Sequence, residues 1–284
     1  MKALRILLAG PLVFLSCFSV DAEDSSPAPQ ASASPASGQI TEQTAEATPT
    51  PTPSLDEPLL MAVSEGNLSE VRHLLDAGAN PNAAIPHPAS DYWKKKYFET
   101  KLDFYVLEET NFTALMLACA EKKADIANLL LDYGANPLLK TKKDKAFALQ
   151  MAARNKDIPL MKRLMGITPD SEAGKSWIRV DLNNQTASLW KDKKLILVSK
   201  ISSGQSGRTT PLGEYVVTDK ERTWKSTIFK VPMPYYLRLS CADFGLHQGY
   251  VPDHPASHGC IRLPEEDARK FFQQTPVGTA VSIQ

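Results

Sequence analysis

The sequence predicts a multidomain chain: a short all-α repeat solenoid followed by a mostly β domain with a short C-terminal helix. Three observations carry this expectation. Gly-Ala-Asn-Pro recurs at 78–81 and 134–137, each time closing a stretch with apolar residues at helical spacing. From Trp177 the pattern changes to apolar and polar residues in alternation, broken by short turns. After Pro264, "EEDARKFFQQT" returns to helical amphipathicity before "VGTAVSIQ" closes as a strand.

The chain begins with Lys2 and Arg5, an apolar stretch, and then Val20-Asp21-Ala22 before acidic residues. Basic, apolar and small residues in that order predict a secretory signal over 1–22 with cleavage after Ala22, and hence an exported protein of the periplasm or cell envelope. A membrane anchor and lipid attachment at Cys17 are the competing readings; the apolar run is short for the first, and Phe14-Leu15-Ser16 fits the second poorly. Residues 23–54 hold almost no apolar side chain except Ala and are rich in Pro, Ser and Thr. A segment of that composition predicts a disordered linker, because it buries too little surface to offset its ordering entropy. The 32 basic and 32 acidic side chains balance, so no global field draws the chain to nucleic acid or to an anionic bilayer.

The repeats occupy 55–168. "LLDAGANPN" and "LLLDYGANP" align at an offset of 56 residues, and a weaker third copy, "FALQMAARNKDIPLMKRLMG", follows. These units resemble ankyrin repeats, whose period is about 33 residues. The excess over that period falls near 84–110, in "AIPHPASDYWKKKYFETKLDFYVLEET". Aromatic residues interleaved with Lys94, Lys95 and Lys96 make this insert either a contact surface for a protein partner of the array or a loop packed back on its own helices. Cys119, on an apolar helical position, is expected to be a buried structural thiol.

The second domain is expected at 175–284, and its densest chemistry is "LHQGYVPDHPASHGCIRLP", residues 246–264. His247, His254, His258 and Cys260 are the right residue types for zinc, but no paired spacing such as Cys-x-x-Cys or His-Glu-x-x-His occurs anywhere in the chain, so no metal is expected. A nucleophilic thiol fits better: Gly259 frees backbone amides to meet an oxyanion, and His247 lies thirteen residues upstream at the end of an apolar stretch.

Ser257-His258-Gly259-Cys260-Ile261-Arg262 resembles the Ser/Thr-His-Gly-Cys signature of the L,D-transpeptidase (YkuD-type) catalytic domain. "ISSGQSGRTTPLGEYVV" and "VPMPYYLRLS" are similar to two further blocks of that family. The resemblance implies that Cys260 is the nucleophile and His247 the general acid and base. It implies backbone N–H groups of His258 and Gly259, with Cys260, at the oxyanion, and the Gln248 carbonyl orienting His247. Arg262, Ser257, Tyr235 and Tyr236 are then expected to contact substrate, Arg262 either by holding a stem carboxylate or by pinning the loop.

The implied reaction is cofactor-free acyl transfer on peptidoglycan stem peptides. A tetrapeptide stem loses its terminal D-alanine to the thiol, and an amine resolves the thioester to a 3→3 cross-link or a protein attachment. Water as the acceptor, giving an L,D-carboxypeptidase, and a non-catalytic peptidoglycan or partner-binding protein are the alternatives. Two departures from the family pattern stand out: the His247 to Cys260 interval is short, and Gln248 replaces a small residue. His254 is expected to be a solvated loop residue, and Cys241 an unpaired strand thiol.

Overall fold

In the computed structural model, residues 54–284 are described. The expected export signal, Cys17 and all of the expected linker except Ser54 lie outside the described residues. Among the described residues no helix is long and apolar enough to cross a membrane.

The helical part is a stack of paired helices. α1 (Asp56–Glu65) ends where Gly66 turns left-handed at φ +77°, and α2 (Leu68–Asp76) starts at Asn67, whose side chain accepts the Glu70 N–H. The insert follows as α3 (Asp91–Tyr97) and a single π-turn over Phe104–Glu108. The next pairs are α4 (Ala114–Ala120) with α5 (Ala124–Asp132), and α6 (Ala148–Arg154) with α7 (Ile158–Leu164). Thr113 and Asp157 cap α4 and α7 with their side-chain oxygens.

The insert packs inward. Trp93, Tyr97 and Tyr105 are buried in the core that the repeats share. Lys96 donates to the Ser64 carbonyl at 2.7 Å, so it serves the orphan C-terminus of α1. Of the two readings of the insert, a loop packed on its own helices describes these aromatics, whereas Phe98 and Phe104 remain exposed. Cys119 is buried in α4, and burial pushes its thiol up to about 12.

The β domain runs β1 (Ser176–Asp181), β2 (Thr186–Lys191), β3 (Lys194–Lys200), β4 (Gly213–Lys225), β5 (Pro232–Leu239), β6 (Gly245–Gln248), β7 (Ile261–Leu263), α8 (Glu265–Gln274) and β8 (Ala280–Ile283). The spatial order is β3-β2-β1-β8-β4-β5-β6-β7. β4 serves two ladders: Gly213 to Val216 pair with β8, and from Val217 onward it pairs with β5, with a register shift between Val217 and Asp219. Ser202, just beyond β3, exchanges both backbone hydrogen bonds with Arg262, so the first and last strands of the order meet.

Alternation suggested antiparallel neighbours, but β1–β8 and β6–β7 are parallel. A parallel pair requires a crossover of about a dozen residues or more. Between β6 and β7 that crossover is residues 249–260, the stretch singled out above. The core lies between the sheet and α8, with Ile178, Leu237, Leu246, Ile261, Phe271 and Val281 buried in it.

The two parts share a packed seam. Val216 of β4 belongs to the core of the helical array, and Cys241 in the β5–β6 turn packs against it. Gly278, at φ +94°, allows Ile167 to approach so closely that a Cβ there would sit 2.5 Å from it.

Candidate active site

Strand parity places the chemistry. Leu246 and Ile261 face each other in the β6–β7 register and both are fully buried in the core. Neighbours on a strand point to the opposite face, so His247, Arg262 and Cys260 project together on the other side. His247 pairs directly with Arg262, and all three line one cavity of about 650 Å³. Gly245, two residues before His247, has no room for a side chain: a Cβ would lie 2.0 Å from the Leu237 carbonyl oxygen. This close approach lets β6 sit tightly against β5 beside the cysteine.

The crossover loop is held on a bed supplied by the Ser-Ser-Gly segment after β3. Ala256 and Ser257 N–H both donate to the Ser203 carbonyl, and Gln205 N–H donates to the Ser257 carbonyl. Ser202 Oγ donates to the His254 carbonyl at 3.0 Å. Thr210 Oγ1 accepts the Gly204 N–H and donates to the Gly259 carbonyl, each at 2.9 Å. Gly259 itself stands at φ +118°, which favours glycine.

Ser257 Oγ accepts the Gly259 N–H at 3.1 Å and donates to the Cys260 carbonyl. Gly259, expected as an oxyanion donor, therefore has its N–H already engaged. Among the described residues' contacts, the backbone N–H groups of His258 and Cys260 have no protein acceptor. These two are the donors available to a negative oxygen next to the sulfur.

Residues 175–283 match the family model of the L,D-transpeptidase catalytic domain, and residues 52–173 match that of ankyrin repeats in three copies. The chain carries an L,D-transpeptidase catalytic domain behind an ankyrin array. The YkuD protein of Bacillus licheniformis is 30% identical over 115 residues, covering 37% of this chain and 64% of that protein. The chain thus spans less than two thirds of that relative's length. An L,D-transpeptidase from Enterococcus faecium is 27% identical, with 39% of this chain and 50% of that one covered at a TM-score of 0.36. One from Stackebrandtia nassauensis is also 27% identical, with 48% and 66% covered at a TM-score of 0.37.

In the transpeptidase domain His247 Nδ1 lies 2.6 Å from the Gln248 carbonyl oxygen. A carbonyl only accepts, so the ring proton sits on Nδ1 and Nε2 is left as the acceptor. Burial lowers the His247 imidazole to about 4, the Gln248 bond opposes this, and the Arg262 charge adds to it. Burial also raises the Cys260 thiol, against the lowering effects of the Gly245 backbone and the Arg262 and Arg238 charges. For both groups burial works against the charged form. Among the described hydrogen bonds none joins Cys260 to His247.

Two expected contacts lie elsewhere. Tyr235, in left-handed backbone at φ +56°, packs on Phe272 of α8 with ring centroids 5.8 Å apart and does not line the cavity. Tyr236 is fully buried beneath the site, its ring 6.4 Å from that of His247, and its hydroxyl has no partner. Arg238 stacks on Tyr236 and Trp224 and pairs with Asp219 at 3.0 Å. Arg262 lines the cavity, and its guanidinium bonds no carbonyl among the described residues. His258 turns its ring out against Phe229, 4.5 Å away.

Sequence reasoning passed over the cavity wall formed by Ile228, Phe229, Met233, Asp243 and Phe244. The available signal was the apolar pair Ile228-Phe229 at a hairpin tip, where polar turn residues are usual. Cys241 and His254 take no part: the first sits in a turn facing the array, and the second is exposed, with its carbonyl bound to Ser202. Among the described residues no group of His, Cys, Asp or Glu is arranged to hold a metal.

Proposed function

We propose that this chain is an exported cysteine L,D-transpeptidase acting on peptidoglycan stem peptides. The observation that carries the reading is the shared cavity face of Cys260, His247 and two unengaged backbone N–H groups. His247 Nε2 takes the Cys260 proton as sulfur attacks the carbonyl before the terminal D-alanine of a tetrapeptide stem. The negative oxygen that forms is met by the N–H groups of His258 and Cys260. As the intermediate collapses, His247 returns the proton to the departing amine, D-alanine leaves and a thioester remains. A second amine then attacks the thioester, and His247 carries its proton to the sulfur, restoring the thiol.

Burial, which lowers the His247 imidazole and raises the Cys260 thiol, favours proton transfer in step with attack. The pairing of Arg262 with His247 in the strand register supports a role for its guanidinium in holding the carboxylate of the leaving D-alanine. The N-terminal segment directs the chain to the envelope, where such stems are found. The ankyrin array is free to engage a protein partner through the surface it does not share with the transpeptidase domain.

The test is intact-protein mass of the full chain with a carbapenem, a β-lactam class that acylates this family. An adduct present in the wild type, absent in Cys260→Ala and slowed in His247→Ala supports the mechanism. No adduct on folded, reduced protein would sink it. Incubation with muropeptides then reads the acceptor: cross-linked dimers identify an amine, and free tripeptide stems identify water.

A further inference from the structure

Strand register sets Tyr236 under the reactive thiol. Leu237 of β5 pairs with Leu246 of β6, and Arg238 with Gly245, so Tyr236 falls opposite His247. Leu246 in turn pairs with Ile261 and His247 with Arg262, so Gly245 stands beside Cys260. By parity Arg238, Gly245 and Cys260 share one face, and Gly245 leaves a side-chain gap between the other two. The Tyr236 ring fills that gap: its Cε2, the carbon next to the one bearing the hydroxyl, lies 2.9 Å from where a Gly245 Cβ would sit. The Arg238 guanidinium lies over this ring at 5.1 Å, and the His247 ring meets it in a T-shaped contact at 6.4 Å. Tyr236 does not line the cavity, so it approaches the site from beneath.

The hydroxyl at the end of that ring is fully enclosed, and among the described residues it has no hydrogen-bond partner. A buried polar group without a partner weakens a fold, and beside a reactive group it is a donor held in reserve. Burial pushes the phenol far above its usual range, Arg238 opposes this and the Cys260 charge adds to it, so the proton stays on oxygen and the sulfur lies within its electrostatic reach. Resting on the acyl-transfer reading above, we infer that Tyr236 is a further catalytic residue, whose hydroxyl donates a hydrogen bond to the Cys260 sulfur when that sulfur carries negative charge, as it attacks the stem carbonyl and again as it leaves the thioester. A neutral thiol is a weak acceptor, which accounts for the unpaired hydroxyl at rest. No proton changes hands in this contact: His247 carries the thiol proton, and Tyr236 keeps its own. A bond made only in the charged state accelerates the chemical step and leaves substrate binding unchanged.

The experiment compares the full chain with Tyr236→Phe, which keeps the ring and removes only the hydroxyl. Thr275→Val, which removes another buried, unpartnered hydroxyl at the end of α8, is the control. Carbapenem acylation is followed by intact mass, and iodoacetamide alkylation of Cys260 by peptide mass across pH. Tyr236→Phe is expected to acylate about tenfold to a hundredfold more slowly, the size of a hydrogen bond to a charged group. Its alkylation midpoint is expected to rise by about one to two pH units, each unit being a factor of ten. The charged and titratable groups around the sulfur, Asp219, Arg238, Asp243, His247 and Arg262, are the same in both chains, so the difference reads the hydroxyl. Thr275→Val is expected to leave both values unchanged. An unchanged midpoint or an unchanged acylation rate in Tyr236→Phe overturns the inference. If the wild-type chain itself forms no adduct, the acyl-transfer reading fails instead, and the midpoint alone decides whether the hydroxyl meets the sulfur.

Discussion

Replacing Ser257 by alanine tests whether the catalytic loop is held from within. Ser257 is 1% exposed, and its hydroxyl joins the Gly259 N–H to the Cys260 carbonyl. Removing it strands two backbone groups, one of them on a buried glycine. A buried polar group left without a partner costs about 1–3 kcal/mol, so Ser257→Ala should destabilise the chain by about 2–4 kcal/mol. For a protein of this size that lowers the melting temperature by about 5–10 °C.

The chemical cost is separate. Released from Ser257, the Cys260 carbonyl and the Gly259 N–H re-orient, and the sulfur moves with them. A displacement of about 1 Å at a reacting atom costs roughly a hundredfold in rate. The assay is carbapenem acylation followed by mass at a temperature where both proteins are folded, alongside thermal melts. Exposed Ser206→Ala is the control, expected to shift stability by no more than about 0.5 kcal/mol. A Ser257→Ala chain that melts within about 1 °C of wild type and acylates at its rate would refute the reasoning.

His247 binds its proton less readily in the fold than in the unfolded chain, so stability is unaffected above about pH 6.5. It falls by about 3 kcal/mol between there and about pH 4 as the unfolded state takes up the extra proton, and denaturant titrations of His247→Gln should lack that contribution. The acylation rate should likewise lose its imidazole-dependent part only as pH drops toward 4, where His247 protonates; a midpoint near 6.5 would contradict the burial argument. Arg238→Met leaves Asp219 a buried, unpaired charge and should cost about 3–5 kcal/mol in denaturant, whereas a loss under 1 kcal/mol would show the pair to be solvated. Tyr236→Phe removes a buried hydroxyl that has no partner and should raise stability by about 1 kcal/mol; a loss of stability would mean that hydroxyl is engaged in solution.

Much of the site was legible because its residues are contiguous in sequence. Cys260, Gly259 and His258 lie in one loop, and Gln248 follows His247 directly, so the Nδ1 contact needed no tertiary information. Parity also placed Cys260 and Arg262 together, since they are two residues apart on one strand. The pairing of β6 with β7 was not legible, because parallel register depends on how the crossover folds and not on alternation. The errors share that origin. Tyr235 holds left-handed backbone and packs on Phe272, and Tyr236 is buried beneath the cavity, so neither lines it; that placement is set by the β4–β5 pairing. The Gly259 donor was lost to Ser257, a competition visible only once both atoms are placed. The insert at 84–110 was ambiguous for a different reason: aromatics serve cores and surfaces equally, and only burial shows that Trp93 and Tyr97 belong to the core while Phe98 and Phe104 stay exposed.

The turn from Ser240 to Phe244 joins these findings. At one end Ser240 N–H donates to the Val216 carbonyl and its hydroxyl accepts the Val216 N–H, while Cys241 packs on the array's core. At the other end Asp243 and Phe244 form part of the cavity wall, and the chain runs directly into the strand bearing His247. Ser240 and Cys241 both hold left-handed backbone, at φ +47° and +55°, a conformation that costs energy in non-glycine residues and persists where surrounding contacts fix it. Those contacts come from β4 on one side and from the helical array on the other. The array is therefore a structural support for the wall of the cavity, and the position of that wall relative to Cys260 depends on a seam between the two domains.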